Sequence, residues 1–217
     1  MAYRTDDEII AAQPDSVART LTVDVADGIR HTAQSLTQTF PVSLENLWEA
    51  CTDPERLGKW FAPVAGHFRL GGRYVIEDNA EGTITACEPR ESFTLTWESA
   101  GDESVVDVRM AKDGRHARLT LEHRFTAEAD ADFWTQFGPG AGGVGWDLSF
   151  LGLALYLESR SDEPRDEATF EAESAHDFIR IVSDRWAEAS RQAGTPDDEA
   201  RAAAERTTAF YLGEGDS

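Results

Sequence analysis

The sequence predicts an α+β fold, a curved antiparallel sheet wrapped around a long helix, with a helical extension at the C-terminal end. Three observations carry the prediction. The segment Phe40 to Phe61, FPVSLENLWEACTDPERLGKWF, reads as a strand end followed by two short capped helices. Strand-like runs then occupy Gly66 to Phe125, each bounded by a turn signal. Finally, Val144 to Glu158 is apolar nearly all round, as a helix buried on several sides must be.

Each element has its own local reason. Residues 1–20 are polar, with a weak helical signal around Ile9 to Ala12, and would be ordered only by packing on the sheet. Leu21 to Val25 and Ile29 to Phe40 alternate on either side of Asp27-Gly28, a hairpin turn signal. Ser43 can cap the first short helix, whose apolar face is Leu44, Leu47, Trp48 and Cys51. Asp53-Pro54 restarts the chain as a cap followed by a proline at the first helical position, where its missing N–H costs nothing.

The strand runs are Gly66 to Leu70, Arg73 to Asp78, Gly82 to Glu88, Ser92 to Glu98, Ser104 to Lys112 and Arg115 to Phe125. Links this short force antiparallel pairing. Phe93, Leu95 and Trp97 share one face, as do Leu119, Leu121, His123 and Phe125, so the sheet has a dry side and a wet side.

Ala129 to Phe137 starts a helix that the glycine-rich run Gly138 to Gly145 interrupts, and Val144 to Glu158 then plugs the sheet. Beyond the charged linker Glu158 to Arg165, Ala175, Phe178, Ile179, Val182, Trp186 and Ala189 form one apolar stripe. Gly194 ends that helix, Thr195-Pro196 caps another, and Ala200, Ala203, Ala204, Thr207 and Phe210 line it. The expected organisation is a main domain over 1–160 and an extension over 161–217. The extension's stripe needs a cover, either the main domain, which is favoured, or a second copy in a homodimer.

Composition narrows the function classes. A formal net charge of -21 repels nucleic-acid phosphates and anionic membrane surfaces, so neither is an expected partner. The basic residues are almost all Arg, with Lys only at Lys59 and Lys112, a usage that points to a GC-rich or salt-adapted bacterial source. Cys51 and Cys87 lie in apolar patterns as free thiols, with no Cys-x-x-Cys or paired-His spacing, so neither a metal nor another cofactor is expected. MAYRTDDEII is no signal peptide, and Val144 to Leu157 is too short and interrupted to span a bilayer. A soluble, cytoplasmic protein is the expectation.

Several segments resemble a known family in order and spacing. They are Trp48-Glu49-Ala50, Thr52-Asp53-Pro54-Glu55 running into Trp60-Phe61, Gly71-Gly72-Arg73-Tyr74 and Gly82 to Pro89. Leu95-Thr96-Trp97-Glu98, Leu119 to His123 and Gly143-Val144-Gly145-Trp146-Asp147 complete the set. Over about Gln34 to Glu158 the chain is similar to the START-like (SRPBCC) ligand-binding proteins. The subgroup is the one resembling the C-terminal domain of the activator of the ninety-kilodalton heat-shock protein ATPase. The resemblance implies a helix-grip fold with a cavity for an apolar small molecule between sheet and helix. It implies no single activity, because that fold serves carriers, receptors, cyclases and cochaperone domains alike.

The candidate ligand-binding residues are those where strand alternation and helix face converge. They are Trp48, Trp60 and Phe61 near the mouth or floor, Tyr74, Trp97 and His123 on strands, and Trp146, Phe150 and Leu153 on the plugging helix. Any one of them could equally be plain core. His123, with Asp147 or Tyr74, is the candidate for acid–base chemistry, since an imidazole on an apolar face needs a partner. Arg69 and Arg73 flank the double glycine and could hold a ligand carboxylate or form surface ion pairs. The run Gly138 to Gly143 lacks the strand before and the Lys-Ser/Thr after that a phosphate loop needs. It would let helix and sheet approach closely or serve as a gate.

The leading functional expectation is therefore a binding protein for a small apolar or aromatic ligand. The alternatives are a cyclase- or hydratase-type enzyme using His123, and a cochaperone-like protein-interaction module.

Overall fold

A computed structural model describes residues 4–99, 101–159 and 173–214 of the 217. In chain order the elements are α1 (Asp6–Ser16), β1 (Ala18–Ala26), β2 (Ile29–Phe40), α2 (Leu44–Thr52), α3 (Pro54–Trp60) and β3 (Val64–Gly66). They continue with β4 (Arg73–Ile76), β5 (Ala80–Glu88), β6 (Ser92–Ser99), β7 (Asp102–Asp113) and β8 (His116–Glu128). Four helices follow: α4 (Asp132–Phe137), α5 (Gly140–Glu158), α6 (Glu173–Gln192) and α7 (Asp197–Tyr211). The charged linker that the sequence places after Glu158, with Pro164 and the boundary at 160/161, lies outside the described residues, as do residues 215–217.

All eight strands join one antiparallel sheet in the order β1-β2-β8-β7-β6-β5-β4-β3. The β1–β2 hairpin turns at Asp27 and Gly28, both at positive φ (53° and 78°), the geometry that matches strand twist in a two-residue loop. Its second strand pairs with β8 from Ile29↔Glu128 to Phe40↔Ala117, which brings the two ends of the sheet sequence together. A register shift between Ile84 and Ala86 bends β5 against β6 and deepens the sheet's concave face.

Helix α5 fills that concave face and carries most of the packing. Val144, Phe150, Leu151, Leu153, Ala154 and Leu155 are buried against Leu36, Phe40, Val106 and Leu119 from the strands. Helices α2 and α3 close the lower side, capped as their sequences require: Ser43 Oγ accepts from Asn46 N, and Asp53 Oδ1 from Glu55 N and Arg56 N. The helix-grip (START-like) fold of the chain is thus formed by one curved sheet, one long central helix and a pair of short helices.

Three local expectations change. Gly66 to Leu70 is not a strand. Only its first residue belongs to β3, and the chain then folds into a tight loop in which Arg69 N donates to His67 O and Gly72 N to Arg69 O, each at 2.8 Å. A Cβ on Gly72 would stand 1.8 Å from His67 O, so no other residue fits there.

The glycine run breaks the helix only at Gly138-Pro139, where α4 ends on Gly138 at φ +55°. Gly140 to Gly145 are the first turns of α5, and their bareness serves contact between helices. A Cβ on Gly143 would come within 2.3 Å of the Trp186 ring, and one on Gly140 within 2.6 Å of Thr207 Oγ1.

The third change concerns the N-terminal segment, a full helix closed by a Thr5/Glu8 capping box, with Ile9, Ile10 and Gln13 buried. It packs on α5 and α6 and reaches the sheet through Gln13, whose amide exchanges hydrogen bonds with Gln38 of β2 at 2.8 and 3.1 Å.

The stripe Phe178, Ile179, Val182, Trp186 and Ala189 on α6 is covered within the chain by α1, α5, β1 and α7. That removes the reason for expecting a second copy on it.

Candidate functional site

Between the concave sheet, α5 and the α2–α3 pair lies a cavity of about 410 Å³. Its walls are almost wholly apolar. Trp48, Trp60, Phe61, Tyr74, Trp97, Trp146, Phe150 and Leu153 all lie on it, so the structure brings eight of the nine sequence candidates around one space. The aromatic ones are oriented by specific contacts. Trp60 Nε1 donates to Ala50 O at 2.9 Å, the Trp48 ring meets Phe93 edge-on with centroids 6.0 Å apart, and Trp97 meets Trp146 at 5.2 Å. Gly152 of α5 lets the Trp60 backbone close in, since a Cβ there would lie 2.5 Å from Trp60 O.

The ninth candidate, His123, stands behind the wall rather than on it. Trp146 Nε1 donates to His123 Nδ1 at 3.1 Å, which leaves the proton on Nε2, and that nitrogen donates to Ser104 Oγ at 2.8 Å. Ser104 Oγ in turn donates to Trp97 O at 3.1 Å. The imidazole is therefore a strut between the two tryptophans of the cavity wall. Burial among the Trp97, Phe125 and Trp146 rings pushes its pKa down to about 4, so it is neutral and fully bonded near pH 7.

Asp147 is nowhere near that imidazole's free edge. It points away from the cavity and takes Arg19 Nε on Oδ2 at 2.9 Å, Arg19 Nη2 on Oδ1 at 2.5 Å and Trp186 Nε1 on Oδ2 at 2.8 Å. Burial pushes its carboxyl above the usual range, and the Arg19 fork and the indole pull against that shift. Tyr74 donates to Thr96 O at 2.7 Å, and burial raises its phenol pKa. The three candidates for proton transfer thus sit in three separate hydrogen-bonded networks.

Some of the wall was not legible as a site. Phe68, Arg69 and Leu70 line the mouth because the loop between β3 and β4 folds over it, and that segment reads as a strand in sequence. Cys51 and Cys87 also line the cavity. Cys51 is half-buried, and desolvation pushes its thiol up to about 12, whereas Cys87 is exposed at the rim. Arg73 forms surface ion pairs, with Glu81 of β5 at 3.2 Å and Glu98 of β6 at 3.1 Å. Among the described residues no group of His, Cys, Asp and Glu is placed to hold a metal ion, and no helix is long and apolar enough to cross a membrane.

A curved sheet gripping one helix over an apolar chamber defines the START-like class. More narrowly, residues 41–158 match the family described as Activator of Hsp90 ATPase homolog 1-like protein, and the chain belongs to that family. Among solved structures it is similar to the crystal structure of CalU16 from Micromonospora echinospora, at 25% identity and a TM-score of 0.63 over 83% of this chain and 99% of that one. The solution structure of the same protein gives 26% and 0.64, over 82% and 97%. A conserved protein of unknown function from Enterococcus faecalis, EF2215, shares the fold at 12% identity, with a TM-score of 0.56 over 88% of this chain and 100% of that one. These likenesses cover more of the chain than the family match does. A search of curated proteins finds no match.

Proposed function

We propose that this chain is a binding protein that holds a small apolar or aromatic molecule in the cavity between the sheet and α5. The observation that supports this reading best is the cavity itself: about 410 Å³, walled by four tryptophans and aliphatic side chains, in the size range of ordinary small-molecule sites. The aromatic walls offer large rigid contact area at little entropy cost on binding. Proton-transfer chemistry gains no support from the site, because His123, Tyr74 and Asp147 are each engaged with other protein groups. A cytoplasmic carrier or sensor fits the acidic surface and the absence, among the described residues, of a membrane-crossing helix.

The test is native mass spectrometry of the protein from its own host, before and after denaturing extraction. A co-purifying small molecule that is lost from the Trp97→Ala or Trp146→Ala variant supports the reading and names the ligand class. An apo mass, with no thermal shift from a panel of lipids and aromatic metabolites, overturns it and points to protein binding, the role that the name of the family suggests.

A further inference from the structure

Resting on the cavity reading, we infer that Arg69 selects the ligand's charge: the occupant is an apolar body that ends in a carboxylate at the cavity mouth. Among the described residues, Arg69 is the one charged side chain on the cavity wall. Its guanidinium has no acid, hydroxyl or carbonyl partner among the described residues, in a chain with 41 Asp and Glu against 20 Lys and Arg. Arg73, four residues on, shows the usual fate of an arginine here, held by Glu81 and Glu98. A free cation in so acidic a chain is a group left available at a place where an acid would otherwise have been easy to supply.

The backbone holds Arg69 in position. His67 N donates to Arg73 O, Arg69 N to His67 O, Gly72 N to Arg69 O and Gly71 N to Ile84 O, all between 2.8 and 2.9 Å. Gly71 takes φ +75° to close this turn, and Gly72 is excluded from having a side chain. The loop is thus organised before any ligand arrives, which lowers the ordering cost of binding. Phe68 and Leu70, 43% and 65% exposed, flank the arginine at the rim and give the site an apolar collar around one charge. An arginine fork matches the two oxygens of a carboxylate. The chain's net charge repels anions in general, so an acid is bound only where a local cation outweighs that field.

The experiment uses the full chain, the neutral fluorescent probe N-phenyl-1-naphthylamine, and two competitors of equal length, dodecanoate and dodecan-1-ol. The wild type binds the probe, and dodecanoate displaces it at about fivefold lower concentration than dodecan-1-ol, the value of a charge pair at a wet rim. Arg69→Gln erases that preference, read as the ratio of acid to alcohol displacement against each variant's own probe affinity, and Arg69→Lys keeps part of it. The variant should fold, because Arg69 is exposed and its side chain holds no hydrogen bond or ion pair among the described residues. Equal displacement by the acid and the alcohol in the wild type, or a preference that survives Arg69→Gln, overturns the inference and leaves the cavity reading standing. A wild type that binds no probe overturns both.

Discussion

Asp147, on the helix that fills the sheet, holds both arms of the Arg19 guanidinium from the first strand, at 2.9 and 2.5 Å across 128 residues of sequence. The side chains are 0% and 5% exposed. Arg19 also donates to Pro14 O and Val17 O, and Asp147 accepts from Trp186. One ion pair therefore ties α1, β1, α5 and α6 together at the back of the cavity.

Removing one member of that pair leaves the other charged in a dry place. Asp147→Asn should lower the unfolding free energy by about 3–5 kcal/mol, and the double variant Arg19→Met/Asp147→Leu should recover a large part of the loss. Urea unfolding of the two variants measures this directly. A single variant within about 1 kcal/mol of wild type would show that the pair is not the tie described.

His123 makes stability depend on pH with a definite sign. Its pKa is about 4 in the folded chain, against about 6.5 when unfolded. Between these values the unfolded chain takes up a proton that the folded chain does not, so its contribution is complete above about pH 6.5 and is lost as pH falls toward 4. The loss amounts to at most about 3 kcal/mol. Replacing His123 by Gln removes the titration, and denaturant melts at pH 7.5 and 4.5 should then differ by that much less. An unaltered difference between the two melts would refute the assignment.

Two helical glycines should respond in opposite directions. Gly58 in α3 has open space where a Cβ would go, so Gly58→Ala should stabilise by roughly 0.5–1 kcal/mol through helix propensity. At Gly143 the added methyl meets the ring of Trp186, which is fully buried and cannot yield, so Gly143→Ala should cost about 2–4 kcal/mol. Thermal melts of both variants test the claim that the glycine run exists for helix contact.

Occupancy of the cavity is readable at Cys87. Iodoacetamide should modify this exposed rim thiol well before Cys51, which is half-buried with its thiol pushed up to about 12. A bound apolar molecule should slow the reaction several-fold. Ile84→Trp, which fills the cavity from β5, should abolish that protection while leaving the fold within about 1.5 kcal/mol of wild type. Mass-resolved labelling rates with and without N-phenyl-1-naphthylamine decide it.

Much of this protein is local in origin and so could be read along the chain. Alternation set the inward face of Phe93, Leu95 and Trp97, Ser43 and Asp53 capped their helices, Asp27-Gly28 turned the hairpin, and the all-round apolarity of Val144 to Glu158 marked the buried helix. Those signals depend only on backbone geometry and neighbours a few residues away.

What tertiary structure alone decided is which long-range partner each polar side chain found. Asp147 went to Arg19 and not to His123, because α1, β1, α5 and α6 had to meet before that partner was in reach. Gly140 to Gly145 read as part of a break because what they accommodate lies more than forty residues later, Trp186 against Gly143 and Thr207 against Gly140. The loop carrying Phe68, Arg69 and Leu70 became the cavity mouth only when β4 and β5 paired beneath it. Periodicity tells a residue which face it occupies; it carries no information about what another segment will bring to that face.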